Sequence, residues 1–429
     1  MTAPLWTRRA ALAGGAAAAW WAWRPTAARP APPATRELVA ARAAAAPAGS
    51  TAPLAYNGSV PGPLIRLRLG EPLVLRFVNR LDSPTALSFP GLRTANSDAG
   101  IAGLAGATLA PGEAADIRFT PPDAGFNLYL PEAGAATDAQ LASGLFGPIV
   151  VDEPTQPEVD LEAIVVVADR PVAESAAPSI IAGPAAAPQR FSAPAGARVR
   201  LRLANASAGR LMTVAVAGVA PLIVAVDGQP SAAFAPLRNA FPIAPGARFE
   251  LIFDMADADV AFALRSEREG EPDRPLAVFA NAGPPKPARP AFAGLAANPL
   301  LPNEIDLARA RRFELTVSGG DGKPLAINGE SLTDWGAKPQ FAVPRGAPVT
   351  LALANATAQA QVMRLGGHVA RLLHALDDGW EPYWRDVFVV PPGKIVRLAF
   401  VADNPGKWPI ASAAPAARAA GLSGWFAVG

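Results

Sequence analysis

Apolar and polar residues alternate in short runs along most of this chain. LVLRFV, VRLRLA and VTLALA each place side chains of one kind at every second position, the signature of a strand with one buried face. These runs belong to a repeat. A Gly-x-x-(Val/Leu)-x-Leu-x-x-x-Asn unit occurs at Gly70 to Asn79, Gly196 to Asn205 and Gly346 to Asn355, with the same internal spacing. A second unit, Pro-Gly followed by Phe seven residues after the Gly, occurs at Gly112 to Phe119, Gly246 to Phe253 and Gly393 to Phe400. Each Asn is expected to end an equivalent strand, and each Pro-Gly turn to precede another.

Three such copies, punctuated by Pro and Gly, predict an all-β protein of three tandem Greek-key β-sandwich domains with little helix. A chain of 429 residues, 51% of them apolar, is long enough to fill several cores. Periodicity lapses and Pro accumulates at 154–159 and 284–304. The domains are therefore placed at 35–153, 160–283 and 305–429, with 284–304 as an extended Pro-rich linker. IDLARARR at 305–312 is the clearest short helical candidate.

Residues 1–34 read as an address. Arg8 and Arg9 precede an uncharged run from Ala10 to Trp23, followed by small residues and Pro near a plausible cleavage point at Ala28. That pattern resembles a twin-arginine export signal, and the run is short of the roughly 20 apolar residues of a bilayer span. Export to the periplasm is the expectation, with no transmembrane span in the mature chain. The other reading of this segment is an uncleaved anchor or a tail.

Charge and composition narrow the chemistry. The formal net charge is +2, and the Arg residues are dispersed through strands, so nucleic acid is not an expected partner. Only 17% of residues are charged, which leaves apolar surface suited to protein contacts, and envelope proteins are the expected partners. There is no Cys, and there are only two His, His368 and His374. Met212, Met255 and Met363 read as core fillers, and Asp98, Asp377 and Asp378 as turn acids. No catalytic triad order, phosphate loop or zinc spacing stands out.

The two ends of the chain carry a resemblance. FVADNPGKWPIASAAPAARAAGLSGWFAVG is similar to the segment in which multicopper oxidases write NPG-x-W, x-x-H-C-H-x-x-x-H and AAG-x-x-GWF. AYNGSVPGPLIRLRLGEPLVLRFVNRL resembles that family's opening strands, TALSFPGLR its T-x-x-H-W-H-G segment, and AGFNLYLPEAG its AG-T-x-WYH-x-H segment. QVMRLGGH resembles its H-P-M-H-L-H-G-H. The resemblance implies cupredoxin-like domains and a copper-dependent oxidoreductase ancestry. In this register the copper-ligand positions hold Ser88, Pro90, Leu130, Glu132, Gln361, Arg364, Gly366, Ala411, Ser412, Ala413 and Ala417, and the axial Met position holds Leu422. His368 falls on the one His of its motif that does not bind copper.

No copper or other cofactor is therefore expected, since a blue centre needs a thiolate and two imidazoles and an oxygen-reducing cluster needs more. The pattern is similar to a copper-free branch of the family that supports bacterial cell division, which implies a non-catalytic scaffold or binding protein. The alternative is an oxidoreductase acting with a partner subunit or through a remodelled cavity. Copper normally ties the first and third domains together. Glu132 and Arg364 either replace that tie as an ion pair or both turn to solvent through the old access channel.

Overall fold

The repeats become three pairs of β-sheets. The computed structural model describes residues 36–43, 54–132, 135–170, 179–183, 188–266, 270–374 and 379–429. The proposed export signal, with Arg8, Arg9 and Ala28, lies outside the described residues, as do Asp377 and Asp378. The first pair combines a four-stranded and a three-stranded sheet, the second a five- and a six-stranded sheet, and the third two five-stranded sheets. Each copy of the first repeat is a strand ending at its Asn: Leu73–Asn79, Arg198–Asn205 and Pro348–Asn355. Each Pro-Gly turn leads into Ala114–Phe119, Arg248–Asp254 or Ile395–Val401, which pairs antiparallel with the Asn strand of its own sandwich.

The recurring Asn has a physical reason. Asn205 Nδ2 donates to Arg210 O and Ile243 O, both at 2.9 Å, while its Oδ1 accepts from Ser207 N at 2.8 Å. Asn79 makes the same three bonds with Ser83 O, Leu109 O and Leu81 N, and Asn355 with Gln359 O, Val390 O and Thr357 N. Leu109, Ile243 and Val390 all lie just before the Pro-Gly turn. One buried amide thus ends a strand, shapes the following turn and binds the distant turn that starts the partner strand.

The middle sandwich differs from its neighbours. Strand Pro348–Asn355 alternates between buried and partly exposed positions, but all of Arg198–Asn205 is buried. Arg200 and Arg202, which alternation puts on a polar face, are 2% and 0% exposed. That face is covered by the first sandwich: Arg202 pairs with Glu162 and Glu250, Glu162 also pairs with Arg66, and Arg200 pairs with Glu153 and Glu250. The alternation of this segment implies one buried face, whereas both faces are buried, because the alternation of one strand carries no sign of a neighbouring sandwich.

The helical expectation for 305–312 also fails. Residues 307–308 form a turn, and strand Arg311–Gly320 begins directly after it. The Asp306 carboxylate accepts from Ala308 N and Arg309 N, taking the donors a first helical turn would present, and the following residues pair parallel with Pro348–Asn355. Residues 284–304 carry neither helix nor strand. Among the described residues, helices are confined to short pieces such as Ala135–Ala142 and Pro415–Ala419.

Asn205→Ala leaves two carbonyls and one amide of a buried turn without their partner. It should lower stability by about 2–3 kcal/mol in denaturant titration. A loss below about 0.5 kcal/mol, within the range of ordinary surface changes, would show that the repeated Asn does not hold the turns.

Candidate functional site

The segment Leu87–Thr94 runs along the edge of the first sandwich facing the third. Ser88 and Leu130 exchange both backbone hydrogen bonds, N to O, at 2.9 and 3.0 Å, which brings Glu132 to the same place. Ser88 Oγ donates to Glu132 Oε2 at 3.1 Å and lies 3.2 Å from Leu130 O. From the third sandwich, Arg364 reaches across on strand Gln361–Leu365 and Arg364 Nη2 donates to Glu132 Oε1. Glu132 is 2% and Arg364 7% exposed, so the pair is shut away from bulk solvent.

The small residues around the pair fit it. Ala411 is the cross-strand partner of Arg364, and its methyl leaves the guanidinium its space. Gly366 is required by packing, since a Cβ there would stand 2.4 Å from Pro409 Cδ. Two voids remain. One, lined by Ser88, Pro90, Glu132, Arg364, Gly366 and Asp386 among others, has a volume of about 20 Å³. The other, also about 20 Å³, is bordered by Pro90, Leu130, Arg248, Arg364, Ala413 and Arg418. Each has room for about one water.

The remaining candidate positions lie elsewhere. Gln361, Ser412 and Ala417 line a separate open groove of about 450 Å³, with Lys323 and Thr357. Gln361 Nε2 donates to Thr357 Oγ1 at 2.9 Å, and Ser412 Oγ donates to Val362 O at 3.0 Å. Leu422 is fully buried in the third core.

These residues do not fit copper. Arg364 places a permanent cation beside Glu132. His368 is 2% exposed, with Nδ1 at 3.1 Å from Gly366 O and Nε2 accepting from Asn404 N at 3.3 Å, so both ring nitrogens are engaged as in a neutral imidazole protonated at Nδ1. Burial lowers its pKa to about 4, against the raising effect of the Gly366 carbonyl and Asp403 and together with Arg93. His374 follows strand Arg371–Leu372 in a loop, its amide donating to Gly379 O. Met212, Met255 and Met363 are buried in the cores. Among the described residues, no three His, Asp or Glu converge as a metal-binding group.

Two further knots escaped the sequence reading. Arg93 makes a two-pronged bond with Asp123 at 2.7 and 3.1 Å and reaches Asp403 of the third sandwich at 3.0 Å. Asp123 also accepts from Asn298 of the Pro-rich linker at 2.8 Å, and Asn298 in turn donates to Gln229 of the second sandwich. Arg248 of the second sandwich donates to Asp386 Oδ1 of the third at 2.7 Å and to Asp227 O at 2.8 Å. Gly91 of the first sandwich, at φ +88°, lies against this guanidinium so closely that a Cβ would come within 2.2 Å of Arg248 Nη2. The residues are visible in the sequence, but their partners lie 21 to 310 positions away, and no local pattern links them.

Comparison with known proteins agrees with this architecture. A family model described as multicopper oxidase matches residues 39–156, and a second so described matches 304–429. The chain is 25% identical over 419 residues to multicopper oxidase MmcO of Mycobacterium tuberculosis, an alignment covering 83% of this chain and 79% of that protein. Among solved structures, a multi-copper oxidase from Pseudomonas thermotolerans superposes with a TM-score of 0.82 at 25% identity, covering 92% of this chain and 99% of the other. Lac15 from a marine microbial metagenome superposes at 0.74 and 27% identity, covering 92% and 100%.

Arg364→Ala strands a buried carboxylate and should destabilise the chain by about 1–4 kcal/mol, with the Glu132→Ala, Arg364→Ala double variant costing less than the sum. Strict additivity in a double-mutant cycle would remove the pair as a tie. His368 supplies a second measurement. Its folded pKa lies below the unfolded 6.5, so its contribution is complete above pH 6.5 and is lost as pH falls through about 4. The melting-temperature gap between the natural chain and His368→Gln should therefore narrow on acidification, and a gap that widens would contradict the neutral assignment.

Proposed function

The chain belongs to the multicopper oxidase family, and from there we propose that it is an exported member whose copper-ligand positions have been given to other side chains, acting in the cell envelope as a non-catalytic scaffold or binding protein. The observation that carries this reading is the contact of Arg364 with Glu132, two residues that the sequence resemblance places at the family's ligand positions. A guanidinium cannot ligate a cation, and the space left around it holds about one water. Absence of thiolate and scarcity of imidazole remove the remaining donors of a blue centre.

No helix among the described residues is long and apolar enough to cross a membrane, which is compatible with a periplasmic location. The paired Arg8 and Arg9 ahead of an uncharged run support export in the folded state. Envelope proteins are the proposed partners, on the strength of the weakly charged composition. A second reading, an oxidoreductase working through a remodelled cavity or with a partner subunit, draws support from one feature. The groove lined by Gln361, Ser412, Ala417 and Lys323 keeps about 450 Å³ open to solvent.

Copper loading separates the readings. Purified protein incubated with Cu(II) and dialysed should keep no stoichiometric copper, develop no intense blue absorption and oxidise neither phenols nor Cu(I). Several coppers retained per chain would overturn the proposal. Turnover of a phenol by the protein together with an envelope fraction, and not by either alone, would favour the second reading.

A further inference from the structure

Five buried charges meet where the three sandwiches join. Glu132 comes from the first, Asp227 and Arg248 from the second, Arg364 and Asp386 from the third, and none is more than 7% exposed. Three carboxylates thus face two guanidiniums. The shortfall is not shared evenly. Glu132 is held by Arg364 and by Ser88 Oγ. Asp227 accepts from three backbone amides, Arg248 N at 3.0 Å, Asp386 N at 3.2 Å and Val387 N at 3.1 Å. Asp386 has Arg248 on Oδ1 alone, and its Oδ2 is buried without a hydrogen-bond partner.

An ionised carboxylate oxygen left bare in a dry site is costly, and a proton is the smallest species that can relieve it. Asp386 borders the void of about 20 Å³, so an added hydroxyl has room for one water as its acceptor. We infer that Asp386 Oδ2 takes up one proton reversibly, and that this proton balances the five charges and tightens the seam between the second and third sandwiches in mild acid. Above neutral pH the seam is held by Arg248 against repulsion between Asp386 and Asp227.

The titration has the matching direction. Burial is the main cause that lifts Asp386 from 3.8 to about 6, with Asp227 adding to it and Arg248 and Arg364 opposing. A raised folded pKa means that stability is greatest below the unfolded value and is lost as pH climbs through about 6. Arg418 borders the other void, donating to Ser412 O, and Arg385 next in the chain pairs with Glu381. His368 titrates the opposite way over the same range, so the useful quantity is the difference between two chains.

The test compares the full chain with Asp386→Asn, which keeps the shape and an acceptor for Arg248 but cannot ionise. Between about pH 5 and about pH 8 the melting temperature of the natural chain should fall relative to the variant by on the order of 3 °C. A difference that stays constant with pH, or changes in the opposite sense, overturns the inference. Infrared difference spectra of the natural chain between the same two pH values provide a readout that does not depend on the variant folding. A buried protonated-carboxyl C=O band that disappears at the higher pH supports the assignment, and absence of any such band overturns it.

Discussion

A guanidinium removed from water has to be met by carboxylates, and that requirement organises the joints of this protein. Arg93, Arg200, Arg248 and Arg364 are all nearly or fully buried, and each pairs with an acid from another sandwich. The cores inside the sandwiches are ordinary apolar packing, rich in Phe, Leu and Val. Apolar contact also joins the sandwiches, as where Phe126 and Leu128 of the first pack with Val166 and Ile181 of the second, but the ion pairs are what discriminate one arrangement from another. Such pairs return little net free energy over well-packed apolar groups, but they punish any other arrangement, because a misplaced sandwich strands several buried charges at once. The geometry of the seams is thereby specified more sharply than its strength would suggest.

The sandwiches themselves were legible in the sequence because their determinants are local or repeated. Asn79, Asn205 and Asn355 sit at the same place in three copies of one unit, and a buried amide that binds its own turn has to be spelled out each time. The seams were only half legible. Glu132 and Arg364 stood out because they fall on positions where the resembled family keeps ligands, whereas nothing marked Asp227, Asp386, Asp123 or Asp403 as special. Their partners come from other sandwiches, and short-range patterns of polarity do not report tertiary neighbours. The same blindness explains Arg200 and Arg202, which lie on a second buried face of a strand whose alternation implies only one, and 305–312, where Asp306 redirects a composition that favours helix.

On the proposed reading, ion pairs stand where the family would have a metal cross-link, and that changes the behaviour of a joint. A metal binds its ligands through short, directional bonds and can be withdrawn by a chelator. Carboxylate and guanidinium are part of the chain, always present, and respond to pH and to mutation of either partner. A scaffold gains from that arrangement, since its shape no longer depends on loading. An oxidase loses its working parts. The central voids, each about the size of one water, fit the first of the proposed readings, and the open groove beside Gln361 and Ser412 is the feature that fits the second.

The sequence distances across the seams bear on how the protein is made. Arg93 is 310 residues from Asp403, Glu132 is 232 from Arg364, and Arg248 is 138 from Asp386. During synthesis, the first two sandwiches are finished while the acids and the arginine that complete their charged edges have yet to emerge. Those edges must wait hydrated, and their desolvation is a late step shared by the whole chain. A nascent protein of this design carries its own completeness check: a product truncated within the third sandwich presents a wet, charge-unbalanced face that cannot close.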